Sequence, residues 1–377
     1  MKQKSYKLYL KNIFFLSFSL IIIIGSINYF INPGNVYPAL NKYYNKKQST
    51  TKFIDQLINS DNGILFDNSV WNMRDIKQAL AKNNNDADCA IIGSSRIMQI
   101  SSERPTKSLS KICPKITNLG IPGTSLEDYL IASKNILRNS KPPKTILIGI
   151  DPWMFILNRD KRWRRYKNDF FLMKDELEEN LKISSTQNYE KVSFNIALIS
   201  NLINYDYFSK SIKLILSKNN KFIEHAPVFD YKKGLDKPVL LSDGTGIYAK
   251  NYQEKSKSIK ISGVYNYDIG GISKTKYDEG QWYQEKALKL FVNLINYLKE
   301  DFNIIFILTP YHPAVWEIED QTLVKAMKNI ELKTHEIANS LNVKVIGSFD
   351  PNHINCTKEE FFDPVHPKDT CLSKLEN

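Results

Sequence analysis

Five short apolar runs, each stopping at a turn, constrain this chain more than any other feature. They lie at residues 90–93, 116–120, 145–150, 303–308 and 343–347. After Thr145, the run Ile146-Leu-Ile-Gly-Ile150 offers no polar residue at alternate positions. A strand with one wet face alternates, so unbroken runs predict strands covered on both faces. Helical periodicity fills the intervals. Leu126, Tyr129, Leu130, Ile136 and Leu137 predict a helix over 126–139, opened by Ser125 and Asp128 as a cap pair and stopped by Lys141-Pro-Pro143. Residues 282–300 and 318–341 repeat apolar positions at three and four. Strand, crossover and strand in succession predict an α/β fold, built on a mostly parallel five-stranded sheet with right-handed connections.

The third and fourth runs are too far apart for a single crossover. The excess, at about 152–280, is expected to be a large insertion at the C-terminal edge of the sheet, acting as a lid or a substrate platform. Residues 34–87, rich in Lys and Asn, read as a polar and partly helical approach to the main domain, 88–377. Residues 1–33 are set apart by a different pattern. No charge occurs from 13 to 31, a length close to the ~20 residues that cross a bilayer as a helix. Lys2, Lys4, Lys7 and Lys11 precede it, which favours a cytoplasmic N-terminus and an extracytoplasmic main domain. The stretch Gly25-Ser-Ile-Asn-Tyr29 is a poor signal-peptidase site, so a retained single-pass anchor is expected instead of a cleaved leader.

The net charge of +12 comes from 52 basic and 40 acidic residues spread along the chain, which describes a surface and not a nucleic-acid site. One local exception is Arg159, Lys161, Arg162, Arg164, Arg165 and Lys167 around Trp163 and Tyr166. Outside the cytoplasm that mixture suits an anionic glycan or lipid headgroup better than nucleic acid, or it is an ordinary solvated face. The four cysteines, Cys89, Cys113, Cys356 and Cys371, have no C-x-x-C spacing, so no metal site is expected. An oxidising compartment would permit disulfides. Cys356 and Cys371 bracket the region of Asp363 and His366, and Cys89 and Cys113 sit near the starts of two candidate neighbouring strands; four buried thiols are the other reading.

Parallel strands deliver their C-terminal ends to one edge, where open α/β sheets bind ligands. Ser95 follows the first run, Asn118 to Gly123 the second, Asp151 the third and His312 the fourth, while the fifth leads towards Asp363 and His366. A serine nucleophile needs a base, a group that orients the base, and N–H donors for an oxyanion. Ser95, His366, Asp363 and the N–H groups of Ser95 and Gly123 would fill these roles. Asn118, Asp151, His312 and Arg96 are candidates for contact with substrate. A second Asp-Pro-x-His, Asp350-Pro-Asn-His353, competes with Asp363-Pro-Val-His366 for the base; the latter is preferred because it leads into a terminal helical stretch.

Gly93-Ser94-Ser95, Asn118-Leu-Gly-Ile-Pro-Gly123 and Asp363-Pro-Val-His366, in that order, resemble the blocks of the SGNH (GDSL-like) hydrolase superfamily. With the anchor, the chain is similar to its membrane-anchored envelope branch, which includes alginate O-acetyltransferase-like proteins and the D-alanyl transfer protein of teichoic acids. The resemblance implies a three-layer α/β/α domain, a nucleophile at Ser95, an oxyanion-hole N–H at Gly123, and Asp363 and His366 as the remaining catalytic pair. It implies acyl transfer to, or removal from, a polysaccharide outside the bacterial cytoplasmic membrane, without a cofactor and with a membrane-bound acyltransferase as partner. A fold retained for binding or assembly alone is the alternative. Two positions depart from the pattern: Ser94 replaces the usual aspartate, and Asp151 stands where the third block offers an asparagine to the oxyanion hole.

Overall fold

The computed structural model describes residues 2–31, 46–67, 71–83, 86–181, 202–216, 223–255, 282–317 and 322–375. Its strands are β1 (Ile64–Leu65), β2 (Cys89–Ile92), β3 (Ile116–Asn118), β4 (Thr145–Ile150), β5 (Val239–Leu240), β6 (Gly246–Ile247), β7 (Asn303–Leu308) and β8 (Lys344–Gly347). Five of them form the sheet expected from the apolar runs, in the order β3-β2-β4-β7-β8, with every pairing parallel. Their side chains divide between two clusters by alternation. Ala90, Ile92, Ile146, Ile148, Ile304 and Phe306 enter one, and Cys89, Ile91, Leu147, Ile305 and Ile307 enter the other. Both faces are dry, which is why the runs show no period of two.

Strand order fixes what covers each face. The connections from β3 to β4, β4 to β7 and β7 to β8 all run in one direction across the sheet, so right-handed crossovers place their helices on one side. The helices Leu126–Leu137, Lys167–Leu181, Glu285–Leu298 and Thr322–Leu341 all contribute to that cluster, and so does Met73–Lys82. Only the β2 to β3 connection runs the other way. It is irregular, and Ile97, Ile100, Leu109 and Cys113 cover the second face together with Leu372 and Leu375. The expected second helical layer is therefore replaced, among the described residues, by turns and a one-turn helix, Asp369–Leu372. Both disulfides, Cys89–Cys113 and Cys356–Cys371, lie on or beside this thinner face.

Residues 50–83, from the segment read as an approach, bury Phe53, Leu57, Ile76 and Leu80 in the same core as the helical face. The long connection after β4 is divided. Of the described residues, 202–216 belong to a separate compact unit with 2–31 and 46–49, while 223–255, 282–317 and 322–375 belong with the sheet. Its returning part forms β5 and β6, an antiparallel hairpin that pairs with β1 through Ile64 and Leu240. The hairpin docks on the turn after β2 and on β3: the Gln99 side chain donates to the Gly246 carbonyl (2.6 Å), and the Asn118 N–H donates to that of Asp243 (2.7 Å). The expected end of the insertion, near 280, lies outside the described residues.

In the other unit, the helix Lys2–Ile31 contains residues 9–31, with mean hydropathy 2.1, long and apolar enough to span a membrane. Phe14, Phe15 and Leu16 are exposed along it. Near its end Asn28 is buried, donating to the Leu202 carbonyl (2.8 Å) and accepting from Ser211 (3.0 Å).

Candidate active site

The direction of the connections across the parallel sheet reverses between β2 and β4, the switch point beyond whose strand ends open α/β sheets form a crevice. Ser95 sits there, on the 3₁₀ turn Ser95–Ile97 immediately after β2. Ser94 caps that turn by accepting the Arg96 N–H (3.2 Å), a task that serine and aspartate both perform. Gly149 makes room for the turn, since a Cβ at this position would stand 2.7 Å from a methyl of Ile97. As the first residue of the turn, Ser95 presents a backbone N–H with no intrahelical acceptor.

Two distant parts of the chain meet at this serine. The Ser95 hydroxyl lies 2.8 Å from His366 Nε2, and His366 Nδ1 lies 2.7 Å from Asp363 Oδ2. The turn that carries them is stiff: Asp363 Oδ1 accepts the N–H groups of Val365 (2.8 Å) and His366 (2.9 Å), and the Phe362 N–H donates to the His366 carbonyl. Cys356–Cys371 closes the surrounding chain. Burial alone would push the Asp363 carboxyl up. The hydrogen bond and charge of His366, a hydrogen bond from Tyr252 and the Val365 N–H outweigh it and hold the carboxyl at about 2. It stays an anion beside the imidazole, the arrangement that keeps Nδ1 protonated and aims the Nε2 lone pair at the serine.

The rival pair is not assembled. Asp350 caps the 3₁₀ turn Pro351–Ile354 by accepting the Asn352 N–H (2.9 Å), and His353 Nδ1 bonds Ser348 (2.9 Å) instead of Asp350.

Four residues expected at the substrate surface face inward instead. Arg96 is buried beneath the site with its donors committed: Nε to the Val365 carbonyl (3.2 Å), Nη1 to Asp151 (3.3 Å) and Nη2 to the Thr309 carbonyl. Its guanidinium also stacks on Tyr311, 3.6 Å from the ring centre. Asp151 is buried too. Burial pushes its carboxyl up, against the charge of Arg96 and a hydrogen bond from Ser94. The Asp151 carboxylate is thus paired with Arg96, which ties the ends of β2, β4 and β7 to the His366 turn. Asn118 donates both amide hydrogens, to Ile97 O and Ile100 O (2.8 Å each), and accepts the Gly120 N–H (2.9 Å), so it anchors the Ser95 turn to β3. His312 is buried, accepts the Ala314 N–H on Nδ1 (3.1 Å), and supports the His366 turn through its backbone N–H to Pro364 O (3.0 Å).

Gly123 occupies the loop beside the Ser95 turn. Its φ of +68° lies in the left-handed region, and a Cβ there would run into the Arg162 guanidinium and the Asp160 carboxylate. The loop reaches the serine turn through Gly93, whose carbonyl accepts from Ile121 N–H (3.0 Å) and the Thr124 hydroxyl (2.9 Å). Part of the basic segment is spent on acids: Arg162 pairs with Asp160 and Arg165 with Asp75, while Arg159 stacks on Trp153 at 4.7 Å.

Sequence reasoning missed two residues here. Tyr252, from the connection after β6, donates to Asp363 Oδ2 and stands 3.3 Å from His366 Nδ1. Lys77 is fully buried and donates to Asn118 O (2.7 Å) and Gly244 O, with its amine brought down to about 7 by burial against the opposing charge of Asp243. Neither belongs to a motif, and the only signal for Lys77 was its place on the apolar side of an amphipathic helix. No protein-family model matches the chain, and no curated protein sequence matches it.

Proposed function

We propose that this chain is a serine acyltransferase or esterase of SGNH type, membrane-anchored and acting outside the cytoplasm on an acylated envelope polysaccharide. One observation carries the reading: Ser95, His366 and Asp363 form a continuous relay of 2.8 and 2.7 Å although Ser95 and His366 are 271 positions apart. Ser95 attacks the acyl carbonyl as its proton passes to His366 Nε2. The tetrahedral oxyanion is held by the N–H groups of Ser95 and Gly123, and His366 returns the proton to the departing alkoxide. A second alcohol, or water, then gives its proton to Nε2 as it attacks the acyl carbon, and His366 passes that proton to the Ser95 oxygen as the acyl–serine bond breaks. Acetyl is the preferred acyl group, and a membrane-bound acyltransferase would supply it in the transfer reaction. Two disulfides and an apolar N-terminal helix support an extracytoplasmic setting.

A binding or assembly role without turnover is the second reading, and Asp151 favours it. The third-block residue is locked to Arg96 and gives the oxyanion hole no side-chain donor. Hydrolysis of 4-nitrophenyl acetate by the full-length chain in detergent separates the two. Catalysis requires activity that Ser95→Ala abolishes, and the absence of both acetate release and acceptor acetylation favours the binding role. Adding an oligosaccharide acceptor then distinguishes acetylated sugar from free acetate.

A further inference from the structure

We propose that Tyr252 is a positioning residue of the Ser95 site, its phenol holding the Asp363 carboxylate in register with His366. The proposal rests on the catalytic reading above and assigns a task to residues 223–255, which no motif connected with the site.

The carboxylate of Asp363 has two acceptor directions on each oxygen. On Oδ1 both are filled by the backbone, from Val365 and His366. On Oδ2 one is taken by His366 Nδ1 and the other by the Tyr252 hydroxyl. Without the phenol, Oδ2 would hold a single partner and the carboxylate would be free to rock about its Oδ1 bonds. With it, the Nδ1–H direction is fixed and the Nε2 lone pair stays on Ser95. Tyr252 keeps its proton throughout, and no bond is made or broken at the phenol.

Tyr252 is itself well seated. It lies on the short helix Lys250–Lys255, whose first N–H donates to Leu235 O (2.7 Å), and its ring packs on Tyr248 at 4.6 Å and Phe362 at 6.0 Å. The groups facing His366 are therefore Ser95, Asp363, Tyr252 and the Tyr248 ring at 6.1 Å; the charge of His312 also couples to Asp363, and Lys368 lies over Phe362. A donor on Oδ2 draws charge away from the imidazole, so removing it leaves a carboxylate that favours imidazolium more strongly.

The test uses full-length protein in detergent, carrying ¹⁵N-histidine, as wild type and Tyr252→Phe. Two quantities are read: the pH profile of labelling by a fluorophosphonate, and the ¹⁵N titration of His366. Tyr252→Phe is expected to slow labelling about tenfold, the scale of one hydrogen bond to a charged group, and to move the acid limb and the His366 titration to higher pH. In an Asp363→Asn background the same change should add nothing. Site-specific 3-fluorotyrosine at 252, a stronger donor of nearly the same shape, should move the titration to lower pH, and it serves if Tyr252→Phe fails to fold. An unmoved titration with an unchanged rate, or a loss that adds fully to that of Asp363→Asn, would overturn the proposal. Were wild type unlabelled while the titration still moved, catalysis would fall and the positioning role would stand.

Discussion

The chain writes Asp-Pro-x-His twice, 13 residues apart, and folds the two copies to opposite ends. At 350–353 the aspartate caps its own 3₁₀ turn and the histidine turns to Ser348. At 363–366 the aspartate spends one oxygen on backbone N–H groups and the other on the imidazole, and the imidazole reaches Ser95. The local pattern is nearly the same, so the pattern is not what selects the site. What differs is the company. Arg96 grips Val365 O from below, His312 grips Pro364 O, and Tyr252 closes on Asp363 from the side. Among the described residues, no neighbour of that kind converges on His353.

Removing each histidine in turn separates the two copies most strongly. With His366→Ala, acylation of Ser95 is expected to fall about 10⁴-fold or more, as loss of the base does in serine enzymes generally. His353→Ala should stay within about twofold of wild type. Stopped-flow acetate release would check both. The aspartates come next. Asp363→Asn is expected to slow acylation about 10³- to 10⁴-fold by spoiling the tautomer, whereas Asp350→Asn should leave the rate alone and cost, in urea melts, at most the ~1 kcal/mol of a weakened cap.

Cutting Cys356–Cys371, which encloses the second copy, is expected to lower stability by about 3 kcal/mol, the loop-entropy value for a closed loop of about 15 residues. The urea midpoint of the Cys356→Ser/Cys371→Ser pair against wild type measures this. A smaller effect than the disulfide's is expected in acid. Asp363 is held at about 2, below its ordinary 3.8, so the folded state binds this proton less readily than the unfolded chain. Its contribution, about 2 kcal/mol for a shift of that size, is present above about pH 4 and lost as the pH falls through about 2. Urea melts between pH 2 and 5 should show that loss in wild type and in Asp350→Asn, but not in Asp363→Asn.

The five-stranded sheet was legible because its strands are dry on both faces, and unbroken apolar runs such as 145–150 leave little else for them to be. Ser95 was legible for a related reason, as a hydroxyl stranded where such a run stops. The direction of polar side chains was not. Arg96, Asn118, Asp151 and His312 occur at strand ends, as substrate ligands would, yet each is turned into the fold to tie loops together. A polar residue near a site is as useful beneath it as inside it, and the sequence does not separate the two. Tyr252 was hidden differently. It is one of 20 tyrosines, on a six-residue helix, and only the docking of the β5–β6 hairpin on the Asn118 loop brings it to the triad. The uneven cover of the sheet was also unreadable, since it follows from strand order, which the runs do not encode.

Whether Ser95 is a nucleophile activated by His366 can be read from mass spectrometry of peptides from the folded full-length chain after treatment with a fluorophosphonate. A single adduct is expected, on Ser95, which disappears in His366→Ala and persists in His353→Ala; a folded chain with no adduct on Ser95, or with an adduct that forms equally fast without His366, would rule that activation out.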